Sequence, residues 1–265
     1  MYVRPGAPLS IGGVLDDAIK VYRVSFSRCW IPSLLIAITA GVIGFWMSAG
    51  IIEASSRYNP AAMMRAYREP SVFGVYLLQW LLSTGLYGTL FVMQDGASGG
   101  QVQGLGEAFG VGFARLGRAL LAGVLFGILM MIGFVLLIVP GFIVLGALCL
   151  WPVALFVDNA GATESLGISR ELTRGHWWRT STIITVAIII VLVLSTLIGA
   201  LAGFLAVGLR HDLATVAASV QTISVVANVF ILPMYTAVLI SIYRDLKLRR
   251  EGGDLAARLG ALPAG

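Results

Sequence analysis

Charge is what this chain has least of. Charged residues make up 12% of its 265 positions, against roughly 25% in soluble domains. Histidine and cysteine occur only twice each. Cys29 and Cys149 both sit in or beside apolar stretches with no ligand spacing around them. That excludes a disulfide framework and a cysteine-rich metal centre, and the two read as small buried hydrophobes. Two distant histidines, with no acid deep in any apolar stretch, give no nucleophile–base or metal constellation. No catalytic, cofactor-binding or metal-binding residues are assigned, and the chain is expected not to be an enzyme. Gly104-Leu105-Gly106 precedes a predicted helix, but Phe109 stands where a dinucleotide fingerprint needs its third glycine, and no strand comes before it. The net charge of +5 comes with no basic domain interleaved with aromatics, so nucleic acid is excluded as a partner.

Long apolar runs fill the space that charge leaves. Hydrophobic residues are 58% of the chain, and Ala119–Val157, 39 residues, carries no charged side chain. Cys29–Ile52, Pro70–Gln94, Thr180–Leu209 and Leu213–Tyr243 are likewise uncharged. About 20 apolar residues cross a hydrocarbon core ~30 Å thick, and each run supplies at least that. The sequence therefore predicts a single all-α polytopic membrane domain over residues 1–265. Because its first apolar run starts only at Cys29, that run is a retained span and not a signal peptide.

Pro140-Gly141 interrupts the longest run, and proline cannot continue a helix. Splitting there predicts six spans: Trp30–Ile52, Val72–Met93, Ala119–Val139, Phe142–Val157, Thr182–Val207 and Val216–Tyr243, with Pro233 kinking the last. Phe142–Val157 is short, a span or a re-entrant half-helix. Charge favours a crossing. With six spans and a cytoplasmic N-terminus, 14 of the 18 basic residues lie inside, and Arg57, Arg65, Arg68 and Arg210 lie outside. Both termini are then cytoplasmic, and residues 244–265 form a basic cytoplasmic tail. Gly123/Gly127 and Gly199/Gly203 are spaced for close helix approach.

A short pattern recurs three times. Asp17-Ala-Ile-Lys-Val, Glu107-Ala-Phe-Gly-Val and Glu164-Ser-Leu-Gly-Ile share the order acid, small, apolar, variable, β-branched, and each precedes an odd-numbered span. The first copy carries the stripe Leu15, Ala18, Ile19, Tyr22, Phe26. The second carries Phe109, Phe113, Leu116, Leu120, and the third Ile168, Leu172. Such stripes predict amphipathic cytoplasmic helices before spans 1, 3 and 5, lying in the headgroup plane with the apolar face down.

Two segments carry a family likeness: Leu172-Thr-Arg-Gly-His-Trp-Trp-Arg179 and Tyr243-Arg-Asp-Leu-Lys-Leu-Arg-Arg-Glu-Gly-Gly-Asp-Leu255. With Pro140-Gly141 and the Leu15–Arg28 helix, they resemble the glycerophosphoryl diester phosphodiesterase membrane domain and related stand-alone bacterial integral membrane proteins. The resemblance implies a membrane domain and no hydrolytic activity, since a (β/α)₈ barrel needs about 250 further residues.

The candidate sites follow from these segments. Arg170, Arg174, His176 and Arg179, beside Trp177-Trp178, are candidates to hold a lipid phosphate, for which arginine's planar donor fork is suited. Arg244, Lys247, Arg249 and Arg250 form a second basic cluster suited to anionic lipid. Gln79, Gln221 and Asn228 are the strongest polar groups within spans, and are expected to bond neighbouring helices. His211-Asp212 has no nucleophile near it in sequence. The reading is a non-catalytic protein of a bacterial cytoplasmic membrane that binds lipid headgroups, or a membrane or cytoplasmic partner protein. The rival is a transporter or channel for a small or amphiphilic solute, to which broken helices at Pro140-Gly141 and Pro233 would contribute.

Overall fold

The computed structural model describes residues 2–56, 70–99, 104–208 and 213–260, with backbone alone for 45–56, 202, 205–208, 213–220 and 253–260. Arg57, Arg65, Arg68, Arg210 and His211-Asp212 lie outside the described residues, as does the side chain of Arg258. Nine helices account for the described secondary structure: α1 Ile11–Ser56, α2 Pro70–Gly99, α3 Leu105–Ala114, α4 Leu116–Leu136, α5 Ile138–Leu148, α6 Trp151–Phe156, α7 Ala162–Thr173, α8 Trp177–Gly208 and α9 Leu213–Gly260. No strand occurs among the described residues. Six stretches are long and apolar enough to cross a membrane: Ile11–Gly44, Pro70–Gly99, Leu116–Leu136, Ile138–Phe156, Trp177–Leu201 and Gln221–Gly252. The chain is an all-α polytopic membrane protein.

The boundaries of all six spans differ from the sequence reading, and two of the differences change the architecture. The amphipathic stretch before span 1 is continuous with the span, as one 46-residue helix with Pro32 inside it. The long run divides at Leu137, which is extended (φ −169°, ψ 156°), and not at Pro140-Gly141. Pro140 becomes the third residue of α5. The first-turn N–H groups of a helix have no partner in any case, so a proline there loses nothing and clashes with no preceding carbonyl. Span 4 accordingly starts at Ile138 and is 19 residues long.

The buried faces differ more. In the first repeat the buried seam is Val14, Ala18, Val21, Ser25 and Cys29, while Ile19 is exposed. In the second, Ala108 and Gly112 are buried and Phe113 is exposed. In the third, Ser165, Ser169 and Thr173 are buried beside Leu172. Small and hydroxyl residues thus take many of the protein-facing positions; of the predicted membrane-facing stripes, Ile19 and Phe113 face outward, whereas Ala18 and Leu172 are buried against the protein. Inside a bilayer, large apolar side chains gain nothing by hiding from lipid, whereas small residues let helices approach. Gly112 shows the need. A Cβ there would sit 2.7 Å from both the Gly85 carbonyl oxygen and the Thr89 backbone nitrogen. The glycine pairs singled out by spacing do not serve this way, since Gly127, Gly199 and Gly203 have open space where a Cβ would stand.

The most extensive helix contact is between α1 and α9. The main core joins Val14 and Ala18 of α1, Phe91 of α2, Leu150–Phe156 around α6, and Val238–Leu246 of α9. α8 is peripheral, with only 6% of its most apolar window buried. The α4–α5 turn, Val135 to Val139, is 67–81% exposed and wholly apolar.

Candidate functional site

The polar chemistry gathers at one end of the bundle, where both terminal segments meet. Asp245 of α9, with a side chain 2% exposed, is its centre. Arg179 Nε and Nη2 at the start of α8 donate to Asp245 Oδ2 at 3.2 and 3.0 Å. Arg249 Nε, one turn along α9, donates to the same oxygen at 3.0 Å. The other carboxylate oxygen accepts the Leu9 backbone N–H at 2.7 Å, and both arginines donate to the Leu9 carbonyl. The local signal for this hub is Asp245 and Arg249 four apart on one helix. Arg179 and Leu9 carry none.

A second hub forms on Asp95 at the end of α2. Arg244 donates to Asp95 Oδ1 and, at 2.6 Å, to Ser98 Oγ. Arg4 donates to the same carboxylate oxygen at 3.1 Å. Beside it the Tyr2 hydroxyl donates to Asp17 at 2.8 Å. Burial first, and then Asp17, push the Tyr2 phenol up to about 12, so it keeps its proton at neutral pH. A third hub is Asp158, whose Oδ2 accepts both Tyr243 Oη and Lys247 Nζ at 2.7 Å. Nearby, Arg115 donates to the Phe156 carbonyl at 2.6 Å. Its pKa is lowered by burial and, second, by Arg118.

These hubs divide the eight candidate headgroup residues. Arg179, Arg244, Arg249 and Lys247 are engaged with acids inside the protein. Arg250 pairs with Glu171 at 2.6 Å, both largely exposed. Arg170 and Arg174 are exposed on α7, with no side-chain partner among the described residues. His176 is half-buried, and its backbone closes the turn between α7 and α8 together with Gly175, whose φ of +81° suits glycine. Next to them Trp178 is 78% exposed, edge-on to Trp177.

The expectation that α7 lies flat with an apolar face down is corrected by its contacts. Span 4 breaks between α5 and α6, and α7 satisfies the backbone groups this frees. Ser169 Oγ accepts the Leu150 N–H at 3.1 Å and donates to the Ala147 carbonyl at 3.0 Å. Thr173 Oγ1 also donates to Ala147, and Trp177 Nε1 donates to the Ile143 carbonyl at 3.1 Å. A broken membrane helix is tolerated where side chains replace its lost hydrogen bonds. The signal in sequence is the hydroxyl series Ser165, Ser169, Thr173 at four-residue spacing.

Of the polar residues within spans, Gln221 Nε2 reaches the Gly41 carbonyl of α1 at 3.5 Å. Asn228, expected to reach a neighbouring helix, instead donates to Ser224 one turn back at 2.8 Å. Gln79 Oε1 is buried without a partner among the described residues. The interhelical role belongs to Gln94, which is fully buried and donates to the Pro233 carbonyl at 2.6 Å. No group of three or more potential metal ligands occurs among the described residues.

A six-span helical bundle with ion-pair hubs at one end and apolar outer faces defines an integral, multi-pass membrane protein. Within that class the chain belongs to the family described as Domain of unknown function (DUF7847), which matches residues 21–246. No curated protein and no solved structure matches it. The matched stretch contains Asp95, Asp158 and Asp245, but not the Tyr2–Leu9 segment that binds two of the hubs.

Proposed function

We propose that this is a non-catalytic lipid-binding protein of a bacterial cytoplasmic membrane, with both termini on the cytoplasmic side. The observation that carries the reading is selective pairing. Five cations at the charged end are neutralised by the hub acids, whereas Arg170 and Arg174 stand exposed beside Trp178 with no side-chain partner among the described residues. Tryptophan favours the headgroup level of a membrane, and unpaired arginines there attract anionic lipid. The side on which the termini lie is supported by the bias of basic residues toward that side. The likeness to the glycerophosphoryl diester phosphodiesterase membrane domain is proposed for the membrane part alone.

The test removes Arg170 and Arg174, which flank the exposed tryptophan, and spares Arg179, which is structural. Arg170→Ala with Arg174→Ala removes about 1 kcal/mol of attraction per residue, roughly a 20- to 30-fold loss in affinity for anionic lipid. Phospholipid co-isolating with the purified protein is quantified by mass spectrometry. Retention equal to that of the unaltered chain sinks the proposal.

Transport of an apolar or amphiphilic solute is a second reading, favoured by one feature. A groove of about 400 Å³ opens between α1, α8 and α9, lined by Ile19, Tyr87, Ala187, Val191, Met234 and Val238 among others, with scarcely a polar atom. Flux in proteoliposomes that Ala187→Trp abolishes by filling the groove would move this reading to first place.

A further inference from the structure

A second cleft, with charged side chains among its lining, lies between the N-terminal segment and the Ser241–Glu251 stretch of α9. It measures about 210 Å³, and its polar lining is Arg4, Asp17, Ser241, Arg244, Lys247 and Glu251, with Asp245 at its wall. That is smaller than the roughly 300–1,000 Å³ of drug-sized sites, so it suits a headgroup and not a whole lipid.

One side chain in it is unexplained by the fold. Ser241 is 2% exposed, and its hydroxyl has no hydrogen-bond partner among the described residues. A helical serine ordinarily donates to the carbonyl four residues back, as Ser25 and Ser33 do in this bundle. Leaving such a group buried and unpaired is unfavourable by about 1–3 kcal/mol.

The charges around it are unbalanced in a patterned way. Asp95 is shared by Arg4 and Arg244, and Asp245 by Arg179 and Arg249. Each hub therefore holds two cations against one acid. Lys247 is matched by Asp158. The remaining acids lack a cation among the described residues. Asp17, 5% exposed, accepts only the Tyr2 hydroxyl, and Glu251 is exposed at the rim. Arg179 and Arg249 do not line the cleft, so its surplus positive charge is the one left by Arg4 and Arg244 sharing Asp95, set against the two unmatched negative charges of Asp17 and Glu251.

We propose that this cleft binds a phosphate–ammonium zwitterion of the phosphoethanolamine type. The phosphate faces the Ser241 hydroxyl, Arg4 and Arg244, and the ammonium faces Asp17 and Glu251. A free amino-alcohol phosphate and a phosphatidylethanolamine headgroup present the same chemistry. The site is separate from Arg170 and Arg174, so either proposal can fail without the other.

Calorimetry on the full chain in detergent tests the free ligand. Phosphoethanolamine should bind, and Ser241→Ala should weaken it about five-fold, the loss of one hydrogen bond. The thermal midpoint should stay equal or rise, because the hydroxyl has no partner in the protein to lose. Glu251→Gln should weaken binding as well, and Arg170→Ala with Arg174→Ala should leave it unchanged. Nanodiscs of phosphatidylethanolamine against phosphatidylglycerol supply the lipid arm. Ser241-dependent retention of phosphatidylethanolamine, with no heat from free phosphoethanolamine, supports the site and assigns the lipid as its source. Inorganic phosphate binding as tightly as phosphoethanolamine overturns the zwitterion. Absence of Ser241-dependent binding in both arms overturns the site.

Discussion

The two ends of the bundle are held by different forces. At the end where the terminal segments meet, three buried or half-buried acids bind five cations and the Leu9 backbone N–H, from five segments of chain. At the opposite end the α4–α5 turn presents Val135 to Val139 with no polar side chain, more than two-thirds exposed. In water the second end would be the unstable one. In a bilayer the roles reverse: the apolar turn needs no partner because lipid supplies one, and geometry at the charged end has to be specified by directional contacts.

The comparison breaks most sharply at Asp245. Asp245→Ala leaves Arg179 and Arg249 unpaired and half-buried, and removal of one partner from a buried pair costs about 3–5 kcal/mol. The predicted outcome is a large drop in the thermal midpoint in detergent, or failure to recover folded protein. An unaltered midpoint would mean the hub is incidental. Ser169→Ala is intermediate. It deprives the Leu150 N–H and the Ala147 carbonyl of one partner each at the break in span 4, with an expected loss of about 1–3 kcal/mol. Differential scanning fluorimetry reads it, and a loss as large as that of Asp245→Ala would move the organising site from the hubs to the break. Leu137→Ser, on the apolar turn, is the smallest. Leu137 is 69% exposed, so stability in detergent should change by no more than about 0.5 kcal/mol. A larger loss would show that the turn is packed and not merely immersed.

How much of this was legible in sequence follows the same division. The uncharged runs gave the class and the six spans because hydropathy over 20 residues is a strong signal. The helix faces are legible only in part, because apolar periodicity does not say which small and hydroxyl residues pack inward. Ile19 and Phe113, on stripes expected to face the membrane, do face outward, while Ala18 of the same stripe and Ala108 and Ser169 outside the stripes are the inward positions. Pro140 was taken as the break because a proline excludes a helix interior, yet a first turn tolerates it. For the candidate site, the basic residues were found but their partners were not. Arg179 with Leu9 and Arg244 with Asp95 are joined across 170 and 149 positions, and no local pattern reports such distances. Among the arginines and lysine of the two basic clusters, only pairing with acids separates Arg179, Arg244, Lys247, Arg249 and Arg250 from Arg170 and Arg174.

Leu9 and Asp245 are 236 positions apart and meet through a backbone N–H. During synthesis the segment around Leu9 leaves the ribosome long before α9 exists. The Asp245 carboxylate that fixes it arrives only when almost every span has been inserted. Arg4 can meet Asp95 as soon as α2 is made, but the Leu9 N–H must wait for the last span to gain its carboxylate.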